Sequence, residues 1–138
     1  MVCGDGVGRW VLEKAGGVPT PEMTALARAG KDGELKAGVA YDMYTGPGGS
    51  ISMHSRIDSP HYCTATFLHH VFTYPFRQLR VRRVFGIVDA RKEEVIRFNL
   101  KLGFRVDGEL RDFFPEGKAV VMGMGEGDCR WLGVIPRY

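Results

Sequence analysis

The chain contains few cysteines, and they form no pattern typical of a disulfide framework. Cys3, Cys63 and Cys129 are the three cysteines among 138 residues, and none of them stands in a CxxC pair. An odd number of cysteines cannot all pair within one chain. We therefore expect free thiols in a reducing compartment, which argues against a small secreted module held together by disulfides.

Long hydrophobic runs are also missing. The longest apolar stretches, such as VFGIV, are far shorter than the roughly 20 residues that a membrane-spanning helix needs. The start, MVCGDGVGRW, has no basic segment followed by an apolar one, so it does not predict a signal peptide. The expectation is a cytoplasmic protein without a membrane partner.

A strong excess of one charge is absent as well. The chain has 19 Lys and Arg residues against 16 Asp and Glu residues, for a net charge of +3. This mildly basic balance suits a small anionic ligand, whereas nucleic-acid binding, which favours a clustered basic face, is not expected. With no repeat and no linker, the length predicts a single domain over residues 1–138.

The N-terminal third is rich in glycine and predicts two helices. The first is expected over residues 8–15, before Gly16 and Gly17. The second is expected over residues 21–29, where Thr20 is a natural N-cap, Pro21 suits the first helical position and Gly30 ends the helix. No strand is evident in this third.

The remaining sequence predicts a mixed α/β fold. Residues 36–45 and 50–55 have strand composition around the turn GPGG, which indicates a hairpin. A helix over residues 64–74 should end before Pro75. VFGIV lies within a strand over residues 81–89 that reads as covered on both faces. An amphipathic helix over residues 93–102 should end at Gly103, followed by the strands FRVDGELRD and KAVVMGMG.

The stretch HSRIDSPHYCTATFLHH, residues 54–70, holds all four histidines and Cys63. Structural zinc sites usually combine short pairs of the form C-x₂₋₄-C and H-x₃₋₅-H, which this stretch lacks, so we predict no metal site. His69 and His70 are consecutive in a predicted helix and point about 100° apart. Both are read as ordinary polar residues of that helix.

A more specific pattern follows in VDARKEEVIRFNLKLGFRVDGELRD. A buried strand leads into a helix that ends in Lys-Leu-Gly-Phe (101–104), and the next strand carries Asp-Gly-Glu-Leu-Arg (107–111). With the upstream segment FTYPFRQLRVRRVFGIV, this stretch resembles the GNAT superfamily of acyl-CoA N-acyltransferases, in particular branches that acetylate protein N-termini and small amines. The resemblance covers roughly residues 38–124. Since the first strand usual in that fold is not evident, the resemblance implies a shortened N-terminal third.

The resemblance implies a mostly antiparallel sheet flanked by helices, with a central pair of parallel strands that splay apart. Carried onto this chain, the pair is residues 50–55 and 84–89, and the pantetheine arm of acetyl-CoA, the co-substrate, lies between them. The backbone near Met53, His54 and Ser55 would bind the pantetheine amides and polarise the thioester carbonyl. The pyrophosphate would lie at the helix that begins near Thr64.

Several positions depart from the family pattern. The phosphate loop of the family is rich in glycine, but the aligned segment SPHYCTAT has none. Within it, His61 and Cys63 stand with Thr64 where phosphates are expected, and Cys63 is read mainly as a small residue at the helix start, with a thiolate nucleophile as the minor alternative. Lys92 stands where the family often has an asparagine that contacts CoA. Asn99 stands where it often has a tyrosine that protonates the CoA thiolate, a step that an amide cannot perform.

The resemblance implies an N-acetyltransferase that transfers an acetyl group to a primary amine of a small molecule or protein. His54 is the first candidate base, because a histidine pKa of about 6.5 suits this role, and Asp58 is the second. The altered loop and Asn99 leave open a non-catalytic CoA-binding or interaction module. The histidines and the arginines from Arg77 to Arg83 leave open a nucleic-acid-modifying protein of the Mom type. Trp131 and Tyr138 are expected to pack the last strand or form a homodimer contact.

Overall fold

The computed structural model describes residues 1–137, so Tyr138 and its predicted contact lie outside the described residues. The strands are Val2–Cys3 (β1), Thr24–Ala29 (β2), Leu35–Asp42 (β3), Ser50–Ile57 (β4), Arg83–Asp89 (β5), Arg105–Phe114 (β6) and Gly117–Gly125 (β7). The α-helices are Asp5–Ala15 (α1), Ala65–Thr73 (α2) and Glu93–Leu102 (α3).

The strands form one mixed sheet in the order β1-β2-β3-β4-β5-β7-β6. Neighbouring strands are antiparallel except for β4 and β5, which are parallel. This arrangement confirms the predicted α/β class, including its central parallel pair. No helix within residues 1–137 is both long and apolar enough to cross a membrane.

Side chains alternate between two faces of the sheet, and each face has its own core. On the face that we call the α2 face, Tyr41, Ile51 and Val84 join the larger cluster with α2 and α3. On the opposite face, the α1 face, Val7 and Val11 of α1 pack on β2 and β3 in a smaller cluster. The helix approaches β3 closely: a Cβ added at Gly38 would lie 3.0 Å from Cγ2 of Val11.

The two later helices begin and end near the predicted residues. Thr64 caps α2 by accepting a hydrogen bond from the N–H of Phe67 at 3.2 Å. The chain continues past Thr73 into a π-helical turn, Tyr74–Gln78. Pro75 therefore ends the α-helical hydrogen-bonding pattern, but the chain stays helical for one more turn. Gly103 ends α3 with a left-handed φ of 117°, which glycine adopts without strain.

The predicted helix over residues 21–29 is wrong. Its sequence contains good helix formers, but the segment TALARA forms β2, which pairs with both β1 and β3. Pairing with distant residues has overridden local propensity here. The earlier helix begins at Asp5 instead of residue 8, and the first strand that was not evident is the two-residue β1.

The predicted strand over residues 81–89 begins at Arg83 and is fully covered on one face alone. Val84 and Val88 are buried in the larger cluster. Phe85 and Ile87 point to the α1 face, where both are partly exposed and belong to neither core cluster. The apolar run of this strand therefore does not mean that both faces of the strand are buried.

Candidate active site

The central parallel strands separate after a short paired region. β4 and β5 pair from Ser50 opposite Arg83 to Ser52 opposite Phe85, and the described residues beyond this point do not pair across the gap. Gly86 lies where the strands part: a Cβ added there would be 3.4 Å from the carbonyl oxygen of Met53. The predicted splayed pair is thereby confirmed.

Backbone groups of β4 point into this gap. The carbonyl oxygen of Gly49 accepts a hydrogen bond from the N–H of Arg83 at 3.3 Å, so the backbone of Gly49 faces β5. Because every second residue of a strand directs its N–H and C=O to the same side, Met53 and Ser55 face β5 too. The backbone of His54 faces β3 instead, so its side chain is the part that lines the cleft.

A cavity of about 520 Å³ occupies the gap and reaches both faces of the sheet. On the α2 face its wall is apolar and includes Phe67, Phe72 and Met122. On the α1 face it is lined by Lys14, His54, Arg56, Ile87 and Asp89. The cavity is therefore a passage through the sheet, which we call the cleft.

His54 lies at the α1-face end of the cleft and is paired with Asp42. Its Nε2 is 2.9 Å from Oδ1 of Asp42 on the neighbouring strand, and the His54 side chain is 26% exposed. Within residues 1–137, Nδ1 of His54 makes no hydrogen bond. Because no buried side-chain nitrogen or oxygen in that range lacks a partner, Nδ1 is accessible to solvent. The pair has the geometry of a base held in position by a carboxylate.

Sequence reasoning missed Asp42. The predicted hairpin contains the signal that could have identified it, because Asp42 and His54 lie on the same face of two paired strands. The register places Ala40 opposite His54 and Asp42 opposite Ser52, so the contact is diagonal.

Asp58, the second candidate base, is not among the residues that line the cleft. Both of its carboxylate oxygens accept hydrogen bonds from Arg56 at 2.9 Å. The hydrogen bonds from Arg56, aided by Lys14, hold the pKa of Asp58 below its ordinary value. Arg56 also lies 4.1 Å from the Trp10 ring, so this ion pair connects β4 to α1.

The residues predicted to bind phosphate surround the start of α2. Thr64 accepts a hydrogen bond from Arg28 at 3.0 Å in addition to capping the helix. His61 is exposed, with its ring edge-on to Tyr62. Cys63 lines the cleft, and burial raises the pKa of its thiol, which disfavours a thiolate.

Lys92 and Asn99 lie on the other side of the cleft. Lys92 is the exposed N-cap residue of α3, and both residues line the cavity. The Asn99 amide donates to Sδ of Met122 at 3.7 Å. The roles of these residues in binding CoA stay predictions.

The remaining histidines and arginines are spread over separate contacts. His69 lies 2.9 Å from the Trp131 carbonyl oxygen, and its ring is 5.5 Å from that of His70. Among the described residues, no three His, Cys, Asp or Glu side chains are placed to hold a metal ion. Arg83 pairs with Asp107, and Arg77 lies 3.6 Å from Glu126.

Solved structures with a similar fold include acetyltransferases. A spermidine N-acetyltransferase SpeG chimera from Vibrio cholerae and hSSAT has a TM-score of 0.66 at 14% identity, covering 80% of this chain and 69% of that one. A putative phosphinothricin N-acetyltransferase has a TM-score of 0.60 at 13% identity, covering 77% and 73%. Ribosomal-protein-S5-alanine acetyltransferase from Vibrio fischeri has a TM-score of 0.64 at 14% identity, covering 78% and 64%.

No model of a protein family and no curated protein matches the sequence. At these identities the likeness concerns the fold, and the splayed parallel pair agrees with it. The chain has the fold of the GNAT-type N-acetyltransferases.

Proposed function

We propose that this protein transfers an acetyl group from acetyl-CoA to a primary amine. The observation that carries the proposal is the cleft through the sheet, with backbone amides along it and the His54–Asp42 pair at its α1-face end. Because residues of both faces line the cleft, it gives two substrates room to meet from opposite sides. Fold neighbours named for spermidine and for an alanine of a ribosomal protein support an amine acceptor.

The residues along the cleft suit the acyl donor. The backbone of Met53 and Ser55 offers N–H and C=O groups to the amides of a pantetheine arm, and the apolar α2-face wall suits its methylene groups. Phosphates would lie between the first turn of α2, where Arg28 adds positive charge beside Thr64, and the exposed Lys92. This arrangement provides cations in place of a glycine-rich loop.

The acyl transfer itself needs one proton acceptor on the acceptor side. The amine nitrogen forms a bond to the acyl carbon, and the bond from that carbon to sulfur breaks. Nδ1 of His54 takes the proton that the nitrogen loses, while Asp42 stabilises the imidazolium that forms. The leaving thiolate takes its proton from water, since Asn99 cannot supply one.

Calorimetric titration with acetyl-CoA, followed by thiol release across a panel of amines, tests the proposal. We expect saturable binding and amine-dependent release of one thiol for each amide formed. An absence of binding at millimolar acetyl-CoA would refute it. Binding without thiol release from any amine would instead favour the non-catalytic CoA-binding module that the glycine-free segment and Asn99 leave open.

A further inference from the structure

An apolar strip lies on the α1 face beside the α1-face end of the cleft. It consists of Phe85 and Ile87 on β5 and of Val121, which stands opposite Ile87 on β7. Leu110 on β6 extends it and is 40% exposed. The smaller core cluster, which joins α1 to β2 and β3, includes none of these residues, so helix packing does not account for their apolar character.

The strip is continuous with the cleft. Ile87 belongs to both, and His54 lies on the adjacent strand on the same face of the sheet. A molecule whose amine reaches Nδ1 of His54 from this side would therefore place its next atoms over Ile87. Burying apolar atoms there is favourable by roughly 25 cal/mol for each Å² removed from water.

Among the described residues, the charged groups around the cleft offer a second ammonium group no unpaired carboxylate. The cleft is lined by the cations Lys14, Arg56 and Lys92 and, among the described residues, by one carboxylate, Asp89. Arg91 already holds both oxygens of Asp89, at 3.2 and 2.9 Å.

The other carboxylates of the α1 face near this end are also engaged. Asp42 binds His54, both Asp58 and Glu13 bind Arg56, and Asp107 binds Arg83. A second cation on the acceptor would lose water without gaining a carboxylate that is not already paired.

From the apolar strip and these paired charges we infer that the acceptor carries a single primary amine on an apolar body, not a polyamine. The inference rests on the proposed acetyl transfer and specifies its acceptor. The amine faces His54 and the apolar body lies over Phe85, Ile87 and Val121. A free alkylamine and a peptide N-terminus with an apolar first residue share this chemistry.

Hexylamine and cadaverine are a matched pair for the test. Both carry a primary amine on five methylene groups, and the far end is a methyl group in hexylamine and a second amine in cadaverine. Thiol release from acetyl-CoA should give a kcat/KM for hexylamine at least about tenfold above that for cadaverine, a difference of ~1.4 kcal/mol in transition-state binding. A short peptide amide beginning with leucine, measured against one beginning with lysine, distinguishes a chain terminus from a free alkylamine as the source.

Two variants at one position separate charge from shape. Ile87→Asp should reduce the preference for hexylamine several-fold or reverse it, because the new carboxylate can pair with the second ammonium group while Lys14 and Arg56 are already paired with Asp58. Ile87→Asn should weaken hexylamine without improving cadaverine. Saturable binding of acetyl-CoA to each variant, measured by calorimetry, shows that its cleft is folded. The comparison of hexylamine with cadaverine on the wild type tests the inference even if neither variant folds.

The outcomes distinguish this inference from the function on which it rests. Faster turnover of cadaverine or spermidine than of hexylamine and the leucine peptide would overturn the inference and leave acetyl transfer intact. Thiol release from no amine at all would remove the proposed function, and the inference with it. A preference of about tenfold for either monoamine supports both.

Discussion

His54 and Asp42 make the contact that fixes which nitrogen can act as a base. Because a carboxylate oxygen accepts hydrogen bonds, the 2.9 Å contact between Nε2 and Oδ1 of Asp42 assigns the proton to Nε2 and the lone pair to Nδ1. His54→Asn should therefore lower kcat/KM for thiol release by about 100-fold, the lower range for loss of a general base. Acetyl-CoA affinity, measured by calorimetry, should stay unchanged, because the backbone of β4 is retained.

Asp42→Ala tests the positioning role separately from the base itself. Loss of a hydrogen bond to a charged group, about 1.5 kcal/mol, corresponds to roughly a tenfold lower kcat with little change in KM. Nitrogen NMR of the His54 ring should show the Nε2–H tautomer in the wild type and a mixture in the variant. Wild-type turnover in His54→Asn would place the base elsewhere and contradict both expectations.

Asp58 is expected to act on stability, with a defined pH dependence. The bidentate contact with Arg56 lowers the pKa of Asp58, so the ion pair stabilises the fold above the ordinary carboxyl pKa of about 4. That stabilisation is lost as the pH falls through the lowered pKa. Asp58→Asn should lower the free energy of unfolding by about 1 kcal/mol or less at pH 7, since the pair is partly exposed.

Thermal unfolding of wild type and Asp58→Asn between pH 7 and pH 3 measures this effect. The difference between their melting temperatures should shrink towards pH 3. A constant difference over that range would contradict the ion-pair explanation. Loss of turnover without loss of stability would instead identify Asp58 as the base.

Individual site positions could be predicted where the sequence carried a strand pattern or a family motif. Six of the predicted residues line the cleft: Met53, His54, Ser55, Cys63, Lys92 and Asn99. Asp42 and Ile87 could not be chosen in this way, because their importance depends on which strands are neighbours in the sheet. Three other predicted residues do not line the cavity, although they are close in sequence to residues that do: Asp58, His61 and Thr64.

At the scale of elements, Gly86 marks the point where β4 and β5 separate. A valine there would place its Cβ 3.4 Å from the Met53 carbonyl oxygen and extend two methyl groups into the gap. Gly86→Val should weaken acetyl-CoA binding at least about tenfold, or ~1.4 kcal/mol, by calorimetry. The physical reason is steric, because the gap is where the pantetheine arm is proposed to lie.

Gly108→Val on β6 is the matched control for Gly86→Val. A Cβ at Gly108 meets nothing within 4 Å, so the same substitution adds the same β-branched side chain away from the cleft. Its acetyl-CoA affinity should equal that of the wild type. Equal affinities for both variants would show that the acyl donor does not pass beside Gly86.

Elements were predictable where local signals agreed with long-range pairing. The hairpin of β3 and β4 and the helix α3 combine clear periodicity with turn or cap residues, and both are confirmed. Residues 21–29 were predicted as a helix because Thr20, Pro21 and Gly30 suit its ends, whereas the strand β2 that forms there depends on pairing with β1 and β3. Pairing of that kind is set by the whole sheet and leaves no local pattern.

At the scale of the whole molecule, the segment after β7 connects the two helices that border the cleft. The carbonyl oxygen of Trp131 lies 2.9 Å from Nδ1 of His69 in α2. The indole N–H of Trp131 donates a hydrogen bond to the Leu102 carbonyl oxygen in α3 at 2.8 Å. Arg130 lies over the same ring, 4.3 Å from its centre. Residues far apart in sequence thus set the separation of α2 and α3.

Trp131→Ala should therefore affect both stability and binding. Removing this half-buried ring should lower the free energy of unfolding by about 3 kcal/mol, the low end for such truncations. Trp131→Phe keeps a ring and loses the N–H donor, so it should cost about 1 kcal/mol. Hydrogen exchange should increase in α2 and α3 together in the alanine variant, and acetyl-CoA affinity should fall because the cleft walls are less firmly held. Retained affinity in a destabilised Trp131→Ala protein would show that this segment covers the helices without fixing the width of the cleft.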